Sequence, residues 1–147
     1  MSTENLTNDA SWKKLRDLID DIKIGMMLTG FDKKPMSAVP MSTKKVDKDG
    51  NIWFLSLETS EHNQDLMTRK DIQLLYSKPS EMEFLSVYGH AEVTKDRIIL
   101  EDLYNKVTDG NWFDGVDDPK LTAIKVKPEL EDKIFPKYLG FNSLQGK

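Results

Sequence analysis

The sequence predicts an α+β fold in which about six antiparallel strands curl into a small β-barrel with peripheral helices. Two observations carry this prediction. Most strand-like segments are joined by short hairpin connections, and the helical segments do not alternate regularly with strands as they would in a doubly wound parallel sheet. At 147 residues the chain is long enough for a sizeable core, and we expect one domain over 1–147, with residues 1–10 and 128–147 as termini that the pattern does not define.

The first part of the chain predicts one helix and three strands. Residues 11–23 form an amphipathic helix, because apolar side chains recur there at intervals of three and four. Strands follow over Met26–Phe31 and Pro35–Val46, and the dipeptide Asp49–Gly50 predicts a type I′ hairpin turn. The next strand, Asn51–Leu57, is apolar on both faces, which is typical of a strand that is covered on two sides.

The middle of the chain predicts a short helix and two longer strands. The helix covers Glu61–Thr68 and has Ser60 as its N-cap. The strands cover Asp71–Ser77 and Glu83–Thr94. Gly89, inside the second strand, indicates a bulge or a close approach of another backbone.

The last part of the chain predicts a helix over Arg97–Val107, an aspartate- and glycine-rich loop over residues 109–119, and a strand over Leu121–Val126. The segment after Lys127 fits no single element. The loop contains two large aromatic residues, Trp112–Phe113. They are equally consistent with a plug for one end of the barrel, a wall of a planar-ligand site and a dimer contact.

Composition excludes several classes of function. The net charge of −4 and the isoelectric point of about 5.2 disfavour binding to nucleic acid or to an anionic membrane surface. The chain has no cysteine, and its two histidines lack the spacing of metal ligands, so we expect neither a thiol nor a metal centre. No signal peptide and no apolar run of ~18 residues is visible, and we therefore expect a cytoplasmic protein.

The junction between the strand Asn51–Leu57 and the following helix has the composition of an anion site. Thr59 and Ser60 place hydroxyl groups beside the free backbone N–H groups of a helix start, an arrangement that suits a phosphate. Lys44 and His62 lie close enough in sequence to add charge, although no arginine occurs between positions 35 and 66. Simple N-capping by Ser60 accounts for the same residues, and both interpretations stay open.

Several short motifs occur in a characteristic order over about residues 10–128. They are Leu28-Thr29, Pro40-Met41, Gly50-Asn51-Ile52-Trp53-Phe54-Leu55-Ser56, Ser60-Glu61-His62, Ser86-Val87-Tyr88-Gly89-His90-Ala91-Glu92-Val93, and Trp112-Phe113 leading to Asp117-Asp118-Pro119. In this order they resemble the motifs of the pyridoxamine phosphate oxidase-like split-barrel flavoproteins, in particular the general stress protein branch.

The resemblance implies a split β-barrel that forms a homodimer and binds flavin mononucleotide (FMN) in clefts between the subunits. It also implies a flavin-dependent oxidoreductase that acts in a stress response. Carried over to this sequence, the phosphate contacts fall on Lys44, Ser60 and His62. No residue is assigned a catalytic role, because in such a site the redox chemistry belongs to the flavin.

The remaining cofactor contacts implied by the resemblance concern the flavin ring. They fall on the backbone groups of Met41, Leu55 and Ser56, with Trp112 of the partner subunit covering the ring.

Two positions depart from the family's pattern. The family holds the phosphate with an arginine in a Ser-Arg-Pro-Met motif and a lysine in a Ser-x-Lys motif, and these positions are Val39 and His62 here. Each lost charge-assisted contact is worth about 1.5–3 kcal/mol, or roughly one to two decades of affinity. The alternative is therefore a barrel with lost or weakened flavin binding that acts as a non-catalytic binding or interaction module.

Overall fold

A computed structural model describes the backbone of residues 4–5, 9–129 and 133–135 and the side chains of residues 12–129. The elements are, in chain order, β1 (Glu4–Asn5), α1 (Asp9–Ile22), β2 (Ile24–Thr29), β3 (Ser37–Ser42), β4 (Lys45–Val46), β5 (Ile52–Leu57), α2 (Glu61–Thr68), β6 (Asp71–Lys78), a 3-10 turn (Pro79–Glu81), β7 (Glu83–Thr94), α3 (Arg97–Leu103), α4 (Lys106–Asp109), β8 (Leu121–Pro128) and β9 (Lys133–Phe135).

The strands form one antiparallel sheet that curls into a split barrel. Its main path runs β3-β2-β6-β7-β8-β5-β4, while the short strand β9 pairs with β7 and β1. Only Thr43 and Lys44 separate β3 from β4, so the two ends of this path are forced close together. The Thr43 N–H donates to the Lys23 carbonyl at 2.9 Å, and the Lys44 N–H donates to the Trp53 carbonyl at 2.8 Å. The predicted α+β barrel is therefore confirmed.

Two hydrophobic clusters lie on opposite faces of the sheet, and β5 contributes to both. Ile52 and Phe54 face the larger cluster inside the barrel, which α1 also joins through Leu15 and Ile19. Trp53 and Leu55 alternate with them and face a smaller cluster that is covered by α3. This alternation explains the apolar character of β5 on both faces, and it confirms the prediction of a strand covered on two sides.

Several predicted boundaries hold and others shift for local reasons. The helix at Glu61–Thr68 and the strand at Glu83–Thr94 are found as predicted. The first helix begins at Asp9, two residues early. Its following strand also begins two residues early, because Lys23, with φ of 67°, makes the turn out of α1.

Two predicted elements are each divided in two. The strand predicted at Pro35–Val46 is broken at the corner formed by Thr43 and Lys44, where it gives β3 and β4. The helix predicted over Arg97–Val107 ends at Leu103, and Asn105 starts a new helix by accepting hydrogen bonds from the next backbone N–H groups.

The turn before β5 is not the predicted type I′ turn. Gly50 has φ of 85°, but positive φ outside glycine occurs only at Lys23 and Met82 among the described residues, so Asp49 lacks the conformation that this turn needs. Asp47 organises the turn instead. Its carboxylate accepts hydrogen bonds from the backbone N–H groups of residues 49 and 51, the Asn51 amide and the indole N–H of Trp53.

Gly89 lies where another backbone comes close, as one of the two predicted alternatives required. A Cβ atom at this position would overlap the carbonyl oxygen of Lys127 on β8. No side chain fits such a gap, and the glycine lets β7 and β8 stay paired.

Candidate functional site

The N-terminus of α2 is built by a local capping motif. The Ser60 hydroxyl accepts a hydrogen bond from the Asn63 N–H at 3.3 Å, so the predicted cap is confirmed. Glu61 supplies an acidic side chain in the first turn, where it opposes the positive end of the helix dipole. The Lys33 ammonium group lies 2.6 Å from the Glu61 carboxylate and 2.9 Å from that of Asp65. The outer face of this helix start is therefore an ion-pair cluster.

A buried polar network connects α2 to the sheet. The Ser56 hydroxyl donates to the Asn63 Oδ1 atom at 2.9 Å, and the Asn63 Nδ2 group donates to the Thr122 hydroxyl at 2.9 Å. Thr122 in turn donates to the Ser56 carbonyl at 3.0 Å. All three side chains are buried. The Ser56 side chain is therefore occupied internally, and Asn63 and Thr122 are site residues that sequence reasoning did not find.

His62 is buried beside this network. The residue is only 8% exposed, and its Nε2 atom has no hydrogen-bond partner within the described part of the chain. Burial lowers the pKa of His62, while the carboxylates of Asp65 and Glu61 act in the opposite direction. Because the net direction is downward from an ordinary value of 6.5, the imidazole is neutral at pH 7. An unpartnered Nε2 atom of this kind is rare among the buried polar groups of native proteins.

Lys44 is held by a part-buried ion pair. Its Nζ atom lies 2.7 Å from the Oδ2 atom of Asp109, and the two side chains are 16% and 13% exposed. The same oxygen accepts the Asn105 N–H at 2.7 Å. Lys44 lies beside the start of β5, opposite Trp53, whereas α2 follows the far end of that strand, about 13 Å away at the usual rise per residue. Within one chain, Lys44 and the α2 N-terminus are thus not brought together.

The predicted ring contacts lie on different surfaces. Met41 on β3 is half-buried against the barrel core, as is Val39. Leu55 is buried in the outer cluster under α3. Trp112 is 75% exposed, whereas its neighbour Phe113 packs against that same cluster. The aromatic pair therefore divides its roles, and only Trp112 presents its ring to a ligand or to another chain.

The cavities on the described surface include two that lie beside helices. The larger, of about 720 Å³, lies between α3, α4 and the loop that follows, with Tyr104, Phe113 and Val116 among its walls. The smaller, of about 460 Å³, lies beside α1. None of the seven residues assigned to the cofactor lines either cavity.

The sequence was compared with models of known protein families. The family described as "Pyridoxamine 5'-phosphate oxidase like" matches residues 10–131, which is most of the chain. The chain belongs to this family. The comparison with curated proteins gave no match.

Solved structures of several proteins share the fold of this chain. General Stress Protein 26 from Bacillus anthracis str. Sterne has a TM-score of 0.72 at 19% identity, over 85% of this chain and 94% of that one. A general stress FMN/FAD binding protein from Xanthomonas citri has a TM-score of 0.72 at 18% identity, over 86% and 88%. A Clostridium acetobutylicum protein related to general stress protein 26 has a TM-score of 0.70 at 23% identity, over 83% and 86%.

The fit of this family's flavin can be judged from the residues present. Strands β3 and β5 and the capped helix α2 supply the elements on which the family builds its cradle. The residues at the expected phosphate-binding positions do not supply the positive charge that a phosphate needs. Val39 is apolar, His62 is neutral and turned inward, and Lys44 is bound to Asp109. The described part of the chain also contains no helix with the length and apolarity to cross a bilayer, and no cluster of three metal-ligating side chains.

Proposed function

We propose that this chain is a cytoplasmic, FMN-binding member of the pyridoxamine 5'-phosphate oxidase-like family that acts as a homodimeric, flavin-dependent oxidoreductase in stress response. The observation that carries the proposal is the family match over residues 10–131, which includes every strand on the main path of the barrel. The similarity in fold to a protein named for FMN/FAD binding adds support. The flavin would supply the redox chemistry, and the chain would supply orientation and electrostatics.

The proposed contacts are divided between ring and phosphate. The backbone groups of Met41, Leu55 and Ser56 face the ring. Ser56 contributes its backbone because its hydroxyl already donates to Asn63. Trp112 of the partner subunit covers the ring, and the 75% exposure of this side chain in one chain leaves it free for that role.

The phosphate end of the proposed site lies at the α2 N-terminus. Ser60 and His62 line this end. Lys44, the third residue proposed for the phosphate, lies about 13 Å from α2 in its own chain, so it would lie beside the flavin only in a cleft that the second chain completes.

The outer face of the sheet supports the homodimer. Met26 on β2 lies between Pro40 on β3 and Leu75 on β6 in the strand register, and Ile24 lies on the same face. Ile24, Met26 and Leu75 are 58%, 38% and 42% exposed, although all three are large apolar side chains. A continuous apolar strip across three strands favours burial against another protein surface, and a second copy of the chain provides one.

The test is a flavin titration of the purified full-length protein. A flavoprotein absorbs near ~450 nm as isolated, or retains that absorbance after FMN is added and the unbound flavin is removed by gel filtration, and sedimentation velocity then gives the mass of a dimer. Oxidation of a nicotinamide reductant under turnover separates an oxidoreductase from a protein that only stores flavin. A monomeric protein that retains no flavin after incubation with excess FMN and gel filtration would refute the proposal.

One observation favours a second function: the residues at the expected phosphate-binding positions are apolar, neutral or already paired with a carboxylate. With Lys44 paired to Asp109 and valine at position 39, a barrel without flavin would serve as an interaction module through its apolar strip. In that case the dimer forms and the FMN titration gives no signal. The two measurements together therefore discriminate the two functions.

A further inference from the structure

The polar groups around the α2 N-terminus determine which part of a flavin the proposed site can recognise. What we infer from them rests on the proposed function. We infer that this site recognises the uncharged ring and ribityl chain of a flavin and gains no affinity from its 5′-phosphate, so that riboflavin and FMN bind equally well. A phosphate monoester carries a charge of about −1.5 to −2 at pH 7 and requires charge-assisted donors when it leaves water. Recognition of the phosphate therefore depends on which donors this chain offers.

Lys44, which the family resemblance assigns to the phosphate, is committed to a carboxylate. The Lys44 ammonium group lies 2.7 Å from Asp109, and both side chains are mostly buried. To turn toward a phosphate, it would have to leave Asp109 with the Asn105 N–H as its only described donor. Breaking a buried pair in this way costs more than one charge-assisted hydrogen bond returns. Lys44 therefore stays with Asp109 when a ligand binds.

The imidazole of His62 is not a cation for the ligand. Its Nε2 atom is buried and has no partner among the described residues, so an anion in solution cannot reach that atom without a rearrangement of α2. Burial also lowers the pKa of His62, and the ring is neutral at pH 7. A neutral, inward-facing ring adds packing to the site but no charge.

Among the described residues, β3 and the α2 N-terminus offer no replacement for these charges. On β3, Val39 packs against the barrel core, and Pro40 has no N–H to donate. The α2 N-terminus carries the Glu61 carboxylate in its first turn, and the nearby ammonium of Lys33 is shared between Glu61 and Asp65. A phosphate at this helix start would meet a cluster whose charges are already balanced or negative.

The experiment compares two ligands on one protein. Apo protein is titrated with riboflavin and with FMN at pH 7.5, by quenching of flavin fluorescence, at ionic strengths of about 20 mM and about 300 mM. We expect dissociation constants for the two flavins within about threefold of each other, with no weakening of FMN binding at the higher salt, because a gripped phosphate would be screened. FMN binding that is tighter than riboflavin binding by more than about threefold, or that weakens at the higher salt, would overturn the inference.

Two matched variants at position 39 test whether a positive charge on β3 would contact the phosphate. Val39→Arg should tighten FMN binding by about tenfold and leave riboflavin binding unchanged, whereas the neutral Val39→Gln should change neither. A gain for both ligands, or for neither, would overturn the placement of the phosphate beside β3. The wild-type comparison needs no substitution, so it decides the inference even if the arginine variant does not fold.

Failure of the inference and failure of the proposed function give different results. Tight FMN binding with weak riboflavin binding overturns the inference and leaves a flavoprotein. Absence of binding by both flavins overturns the proposed function and the inference with it. Equal binding of both flavins supports the proposed function and the inference together.

Discussion

The ion pair between Lys44 and Asp109 should be worth several times more than an ordinary surface pair. Lys44→Met keeps the length and most of the volume of the side chain and removes the ammonium group. Asp109 is then left with the N–H of Asn105 as its only described donor while its carboxylate is 13% exposed. The perturbation therefore tests the cost of a mostly buried, unpaired charge.

The magnitude follows from the burial of both partners. Removing one member of a fully buried pair costs about 3–5 kcal/mol, and the 13–16% exposure of these side chains puts the expected loss at the lower end, about 3 kcal/mol. The double variant Lys44→Met with Asp109→Asn leaves no buried charge and should recover about 2 kcal/mol of that loss. Such a coupling corresponds to about a 30-fold change in the folding equilibrium.

Urea unfolding with linear extrapolation gives the free energy of unfolding of the wild type, the two single variants and the double variant. Lys45→Met is the matched control, because the Lys45–Asp102 pair has side chains that are 46% and 58% exposed and should contribute no more than about 1 kcal/mol. A loss below about 1 kcal/mol for Lys44→Met, or a coupling energy indistinguishable from zero, would show that solvent screens the pair and would refute the reasoning.

Two further predictions concern stability. Gly89→Ala places a Cβ atom against the Lys127 carbonyl and should lower the free energy of unfolding by about 1–3 kcal/mol or more, while Ser77→Ala on an exposed strand position serves as the control; equal values for the two would contradict the close approach. Because the pKa of His62 is lower in the folded chain, its contribution to stability is complete above the ordinary value of 6.5 and is lost as pH falls from there through the folded pKa. Thermal unfolding from pH 8 to pH 5 should show this loss as a fall in the melting temperature. His62→Gln should reduce the dependence of the melting temperature on pH more than His90→Gln does.

Features encoded within a few residues could be predicted from the sequence. The Ser60 cap, the helix that follows it and the two-sided strand Ile52–Leu57 each depend on local pattern, and the structure contains all three. The tight approach at Gly89 could also be predicted, because glycine inside an apolar strand usually marks a bulge or a close neighbouring backbone.

Features that join distant segments could not be predicted in the same way. Lys44 and Asp109 are 65 residues apart, and Asn63 and Thr122 are 59 residues apart, so no spacing in the sequence connects them. The turn before β5 failed for a different reason. A favourable dipeptide indicated one turn type, but the four hydrogen bonds of the Asp47 carboxylate selected another backbone conformation.

Those hydrogen bonds also affect the acid limit of the fold. Burial raises the pKa of Asp47, but donation from Trp53, Asn51 and the backbone more than offsets it, and the pKa lies below the ordinary value of 3.8. The stability that this carboxylate contributes is therefore present above that value and is lost only as pH falls below it. The Asp47 turn therefore does not contribute to the pH dependence of stability near neutral pH.

Pro40 has a consequence for assembly. It lies on β3, which has a hydrogen-bonded neighbour on one side only, and it has no N–H to donate on the open side or the paired side. A proline on an edge strand interferes with the addition of a strand from another chain, which guards against growth into fibres. In the proposed homodimer the two copies would meet instead through the apolar strip, and because that face is consumed when the pair forms, assembly would stop at two.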